Sequence, residues 1–305
     1  MKKTLLLALL LTSVGTYAQK TQLRLNLQKD STCYITCDIK MGIDQFIKGA
    51  HHTAKTTIKT TTAHKIVSIN DSLYNIEVTY KNMSITFSTG DHEMEFSSEN
   101  DTSNIFSKFL RLILNKPFNM VMNKKGNIIE IKGLDKIFTD QLDDLSLPEQ
   151  QKEQMAAQVK QSFGDDNLKN NLQAAFIIYP EQPVGVKDSW TNQTHYEIAI
   201  ASTKTRNTYT LNSITTNNYE ISAKAIISTD KATNFARSGT VYGRTFGIHG
   251  TYQYTIKINK ATGWINEVQT VKHLEGTSEL KHNLTDANSL VFPITIDGTT
   301  EVKGW

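Results

Sequence analysis

The stretch "TCYITCDIKM", residues 32–41, decides the fold class because apolar and polar side chains alternate along it. Successive side chains of an extended chain point to opposite faces, so residues two apart share a face. One face would carry Cys33, Ile35, Cys37, Ile39 and Met41. This period of two predicts a strand with one buried face, as in antiparallel sheets.

Both cysteines of the chain lie in this strand, four residues apart. An extended strand separates Cys33 from Cys37 by about 13 Å, whereas a disulfide needs Cα atoms within about 7 Å. The spacing is not CxxC, and no histidine lies within a few residues, so metal or redox chemistry is not indicated. Packing in the core is predicted. A disulfide across a bent chain and a chemically active pair are the alternatives.

The first residues carry the pattern of an export signal. Lys2 and Lys3 precede the apolar run 5–11, and Ala18 suits the position before a signal-peptidase cut. The run is shorter than the ~18–20 residues that cross a bilayer. Residues 1–18 are therefore predicted to be a signal peptide cleaved near Ala18. The mature chain is expected in the periplasm or outside the cell, with no transmembrane segment.

Charge and motifs argue against several functions. The chain has 33 lysines and arginines against 30 acids, without the basic excess of a nucleic-acid-binding protein. It contains no P-loop, dinucleotide fingerprint, HExxH or GxSxG motif. No cofactor, metal site or catalytic residue is predicted, and an enzyme is not favoured.

Alternating stretches on both sides of a helical block predict an α+β fold. Two curved, half-barrel-like antiparallel β-units are expected, with a central helical segment packed on the sheets. The first unit would span residues 19–133 with one inserted helix at about 102–115. The helical segment would span 134–176, and the second unit 177–305. The tripeptide Lys-Asp-Ser opens a strand in each half, at 29–31 and 187–189, which suggests an internal repeat.

A candidate ligand site combines three features of the sequence. The inserted helix would present an apolar stripe as a lid, and the strand "GTVYGRTFGIHG" (239–250) would leave room for a ligand or would only let the sheet coil. Aromatic residues that follow could line the groove, although ordinary cross-strand pairs explain them equally. The candidate residues are Phe106, Phe109, Leu110, Ile113, Gly243, Gly247, Tyr252, Tyr254 and Trp264.

Three functions are compatible with the sequence. The first is non-enzymatic binding of a lipid or another apolar or amphipathic ligand between sheet and helices. The second is a structural or assembly factor that binds another envelope protein, with Lys231, Arg237 and Arg244 on a basic strip. The third is a hydrolase without a recognisable motif.

Four short motifs of the chain resemble those of a known family. They are Phe163-Gly164, Tyr179-Pro180, Pro183-Val184 and the run 187–190 (KDSW). The mature chain resembles an uncharacterised family of secreted Bacteroidetes proteins, known only as domain of unknown function 6263. The resemblance implies export and brings no catalytic residues. In architecture alone, the predicted curved sheets are similar to those of periplasmic half-barrel lipoprotein carriers.

Overall fold

The computed structural model of the protein describes residues 20–99, 104–145, 147–176, 178–198, 201–229, 235–238 and 241–305. The predicted signal peptide lies outside these residues. Within them, strand residues outnumber helix residues by more than three to one. The expectation of a β-rich chain is therefore confirmed.

Thirteen strands of the described part form one antiparallel sheet. They are β1 (Thr32–Ile47), β2 (Ala50–Asn70), β3 (Leu73–Thr89), β4 (His92–Ser97), β5 (Phe118–Asn123), β6 (Ile128–Lys132), β7 (Ser189–Ile198), β8 (Ala201–Ile214), β9 (Asn218–Thr229), β10 (Ala236–Ser238), β11 (Val241–Asn259), β12 (Ile265–Lys281) and β13 (Leu290–Gly304). Their order is β6-β5-β3-β2-β1-β13-β12-β11-β9-β8-β7, with β4 beside β3 and β10 beside β11.

The predicted α+β fold with two β-units is wrong. β1 pairs with β13 from Ile35↔Gly304 to Gln45↔Ile294, so strands from both ends of the chain join in one sheet. Periodicity shows which face of a strand is buried, but it does not show which distant strand is its neighbour. The β1–β13 pairing, which spans most of the chain, was therefore invisible in the pattern.

Four short helices in the described residues replace the expected central helical layer: α1 (Ile105–Leu112), α2 (Leu134–Asp143), α3 (Glu149–Phe163) and α4 (Asp165–Phe176). α4 contacts both β6 and β7, which are the two edges of the sheet. The sheet must therefore curve until both edges reach the same helix. α4 thus bridges the two edges of one curved sheet.

On the central strands, the register gives the sheet a largely apolar inner face and a largely polar outer face. On the inner face, Cys37 lies beside Thr60 of β2 and Val302 of β13, and Val302 lies beside Val268. On the outer face, one residue along, Asp38 lies beside Lys59 and Glu301. This division fits an antiparallel sheet with one face toward water.

One end of the inner face is covered by the helices and by the segment that precedes β1. Leu23, Leu25 and Leu27 of this segment are at most 5% exposed and pack in the main core. Gly263, in the turn between β11 and β12, has φ +70°, and a β-carbon there would overlap the carbonyl oxygen of Arg24. The missing side chain lets the leucine segment lie against the turn.

The cysteines take the predicted place in the core. Both are free, half-buried and packed against the main core on the inner face. Burial raises the pKa of Cys33, and burial together with neighbouring Asp38 raises the pKa of Cys37 to about 11. Because the thiolate is the reactive form, both thiols are poor nucleophiles.

Candidate ligand-binding site

The predicted lid helix is part of the packed core. Phe109, Leu110 and Ile113 are each 2% exposed in the main cluster. Phe106 is partly buried and packs edge-on against Phe96 of β4, with ring centroids 5.1 Å apart. These side chains fill the space between α1 and the sheet, so a ligand could enter there only if α1 moved.

The glycine-bearing strand contains a β-bulge. The register between β11 and β12 shifts between Phe246 and His249, and Gly247 takes φ +64° in an exposed position. Gly243 faces inward, where a β-carbon would lie 3.1 Å from Cδ2 of Leu280. The bulge turns Ile248 into the second apolar cluster, at 1% exposure. The two candidate glycines therefore occupy different surroundings.

The three candidate aromatic residues also lie in different parts of the structure. Tyr252 and Tyr254 are half-buried neighbours on the inner face, with ring centroids 6.0 Å apart. Trp264 lies at the covered end, 2% exposed, packed against His64 and Phe176 at 5.4 and 5.3 Å. The structure thus brings together only the two tyrosines on a surface open to a ligand.

An uncovered apolar surface lies on the inner face beyond the helices, and we call it the trough. It comprises Ile39, Met41, Ile43, Ile58, Phe87, Met94 and Tyr252. Phe87 is 40% and Met94 60% exposed, and the others are half-buried. The alternation of β1 and β2 marked the inner face, but only the position of the helices shows which part stays uncovered.

Lys272 is the one lysine, arginine, aspartate or glutamate that the strand registers place on the inner face of the described strands. It lies beside Tyr252 on β11 and Gly298 on β13, and Met41 follows on β1. Its Nζ has one hydrogen-bond partner among the described residues, Sδ of Met41 at 3.5 Å. Burial lowers the pKa of Lys272.

Two histidine–aspartate pairs lie on the outer face. His51 Nδ1 is 2.5 Å from Asp44, and His273 Nδ1 is 2.7 Å from Asp297, with both histidine side chains more than half exposed. Thr53 donates to Asp44 and not to the histidine, so it is not activated as a nucleophile. No group of three metal-binding side chains occurs within the described ranges.

The basic strip expected to meet a protein partner is only partly visible. Arg244 bonds to Glu279 through Nε and Nη2, at 2.6 and 2.5 Å, and lies over the rings of Phe235 and Phe246. Lys231 and the side chain of Arg237 lie outside the described part. The assembly hypothesis stays a prediction.

Residues of the 187–190 run border a cleft of about 670 Å³ at the β7 edge, which is lined by both polar and apolar residues. Trp190 Nε1 donates to the carbonyl of Ile178 at 2.7 Å, and its ring stacks on Tyr209. Asp188 accepts from the backbone N–H of Gly185 at 2.9 Å. These bonds fix the chain between α4 and β7, which gives the run a structural role.

A family model described as "Family of unknown function (DUF6263)" matches residues 71–265. The chain belongs to the DUF6263 family. In this DUF6263 protein the match runs from the turn before β3 to the start of β12, so Met41, Lys272 and Gly298 lie outside it. A comparison with curated proteins found no match.

Among solved structures, the DUF6263 chain is similar to "Lipid-protein interactions in lipovitellin", with a TM-score of 0.50 and 12% identity over 92% of this chain. It spans 25% of the lipovitellin chain. At this identity the likeness shows the fold alone. OmpF of Salmonella typhi and an outer membrane channel of Pseudomonas putida F1 match at TM-scores of 0.25 and 0.24, each with 8% identity. These matches cover 92% and 96% of this chain, respectively, and 100% of each matched chain. Neither match supports an argument.

Among the described residues, the DUF6263 chain has no helix with the length and hydropathy of a membrane span.

Proposed function

We propose that the protein binds an apolar or amphipathic ligand in the trough, without catalysis. The observation that carries the proposal is the partial exposure of seven apolar inner-face side chains on a sheet whose outer face is largely polar. A contiguous apolar surface left open to water costs free energy and is typical of ligand grooves.

The position of the helices makes the trough a better candidate binding site than the space between α1 and the sheet. Phe109, Leu110 and Ile113 already bury their surface in the core, so binding there would first have to break this packing. The trough needs no rearrangement, because the strands that carry it extend beyond the covered end. The fold likeness to lipovitellin, whose structure is described by its lipid–protein interactions, agrees with a lipid-like ligand.

Binding of the fluorescent probe N-phenyl-1-naphthylamine tests the proposal. Ile58→Asp places a carboxylate in the trough and should weaken binding at least about tenfold, because an apolar ligand would desolvate that charge. The control Thr57→Asp places the same charge one residue along, on the outer face of β2, and should leave binding unchanged. Circular dichroism confirms that both variants fold. Equal effects of the two substitutions, or no binding to the native protein, would reject the trough as the site.

The proposal includes export. The pattern of residues 1–18 supports it, and the mass of the mature protein recovered from its native cell tests it. A chain that begins near Gln19 is expected, whereas an intact Met1 would reject cleavage.

A further inference from the structure

Charged side chains are rare on the inner face. On the strands that the structure describes, the registers place one ammonium group and no carboxylate on this face. An ammonium group has three donors, and the thioether of Met41 is a weak acceptor for one of them. Lys272 therefore lies in apolar surroundings with most of its hydrogen-bonding capacity unused.

The backbone holds space for this side chain. Gly298 faces Lys272 across the β12–β13 ladder, and a β-carbon at Gly298 would lie 2.5 Å from Cε of Lys272. With a side chain at 298, the lysine could not lie across β13 toward Met41. Lys272 thus extends over the sheet toward the trough.

Hydroxyl groups accompany the ammonium. Thr270 and Thr300 are a pair on the inner face, one inward-facing position along from Lys272 and Gly298. In the other direction, Leu274 and Ile296 belong to the second apolar cluster, against which Met41 and Ile43 pack. The inner face therefore carries a cation and hydroxyls beside an apolar surface, the two parts that an anionic amphiphile requires.

We propose that the ligand of the trough is a long-chain carboxylate, with its carboxylate on Lys272 and its chain along Met41, Ile43 and Ile58. This inference rests on the proposed function. One unpaired ammonium balances one negative charge, and a charge-assisted hydrogen bond satisfies both groups. A phospholipid headgroup would bring further polar groups to Lys272, whose neighbours across the strands are Tyr252, Gly298 and Met41.

The test compares oleate with oleyl alcohol, which has the same chain and no charge, in radiolabelled binding assays. The native protein should bind oleate at least about tenfold more tightly than oleyl alcohol. This ratio corresponds to the free energy of one hydrogen bond to a charged group in a shielded site. Lys272→Met should remove this preference by weakening oleate and leaving the alcohol within about twofold. The control Lys40→Met, on the outer face of β1, should change neither affinity.

The outcomes separate the two proposals. If neither compound binds the folded native protein, the proposed function fails. If the alcohol binds as tightly as oleate, or Lys272→Met keeps the preference, only the assignment of a carboxylate fails. Preferential uptake of dioleoylphosphatidylglycerol from vesicles would likewise reject it. In the native protein, NMR of 13C-methylated lysines should show that oleate raises the pKa of Lys272, because a nearby anion favours the ammonium form.

Discussion

Gly298 and Lys272 are direct neighbours in the β12–β13 ladder, and a β-carbon on Gly298 would lie 2.5 Å from Cε of Lys272. The same β-carbon would lie 2.8 Å from the backbone carbonyl oxygen of Lys40 on β1. The glycine therefore relieves two close approaches at once. The lysine can move, but the carbonyl of a paired strand cannot move without disturbing the sheet.

Gly298→Ala should lower the free energy of unfolding by about 1–3 kcal/mol, the usual effect of inserting a methyl group into packed structure. Urea unfolding measures the change. Gly42→Ala is the matched control, because Gly42 lies in neighbouring β1 and a β-carbon there meets nothing within 4 Å. An equal effect at both positions would mean that the close approach at Gly298 does not exist.

Two histidines should titrate on opposite sides of the usual histidine range. Burial lowers the pKa of His64 to about 4, whereas a hydrogen bond to Asp297 raises the pKa of His273 on the outer face. NMR titration of the ring Cε1–H signals measures both values. If His64 titrated with or above His273, the buried position of its ring beside Trp264 would be wrong.

The same burial makes stability depend on pH. An unfolded histidine has a pKa of about 6.5, so between about pH 6.5 and 4 the unfolded chain binds a proton that folded His64 does not. Above this pH window, the neutral buried ring makes its full contribution to the free energy of unfolding. As the pH falls through the window, this contribution is lost, by on the order of 3 kcal/mol in total. His64→Phe should make the free energy of unfolding less dependent on pH there. An unchanged dependence in the variant would contradict the assignment.

The leucine segment before β1 should be a large stabilising element. Leu25 is fully buried under the sheet, so Leu25→Ala should cost about 2–5 kcal/mol in urea unfolding. Gln28→Ala, at an exposed position of the same segment, should change stability by less than about 0.5 kcal/mol. A small effect of Leu25→Ala would show that the segment does not cover the core.

Asp135 and Asp165 cap each other's helices. Oδ1 of Asp165 accepts from the N–H of Leu134 at 2.9 Å, and Oδ1 of Asp135 accepts from the N–H of Asp165 at 2.9 Å. The cap of α2 has to come from elsewhere in the chain, because its N-cap residue is Gly133. Asp165→Ala should therefore cost about 0.5–2 kcal/mol, and exposed Asp166→Ala clearly less. Thermal unfolding of the two variants measures both losses of stability. Equal losses would show that Asp165 does not cap α2.

The sequence predicted the strand-rich nature of the chain, its family and the packing of both cysteines against the core, because each follows from local alternation or motifs. It did not predict the single sheet, because the β1–β13 pairing joins residues such as Cys37 and Val302 across most of the chain. The separation of the candidates Gly243 and Gly247 was also missed, because one extra residue at the bulge between them reverses the parity that alternation assumes.

The candidate site was predicted only in part. Tyr252 and Tyr254 do face inward. The apolar stripe of α1, however, gives the same sequence pattern whether the helix covers a cavity or packs in a filled core. Lys272 was not singled out, since a single lysine in a strand usually faces water. Its unpaired position became visible only when the registers of β11, β13 and β1 placed it on the apolar face.

Methyl NMR of isoleucine Cδ1 groups during titration with oleate tests the central claim most directly. Ile39, Ile43 and Ile58 should shift in a saturable way as the trough fills, whereas Ile226, which is 60% exposed on the outer face of β9, should not. Shifts at Ile226 without shifts at the three trough residues, or no saturable shift at all, would contradict binding on the inner face.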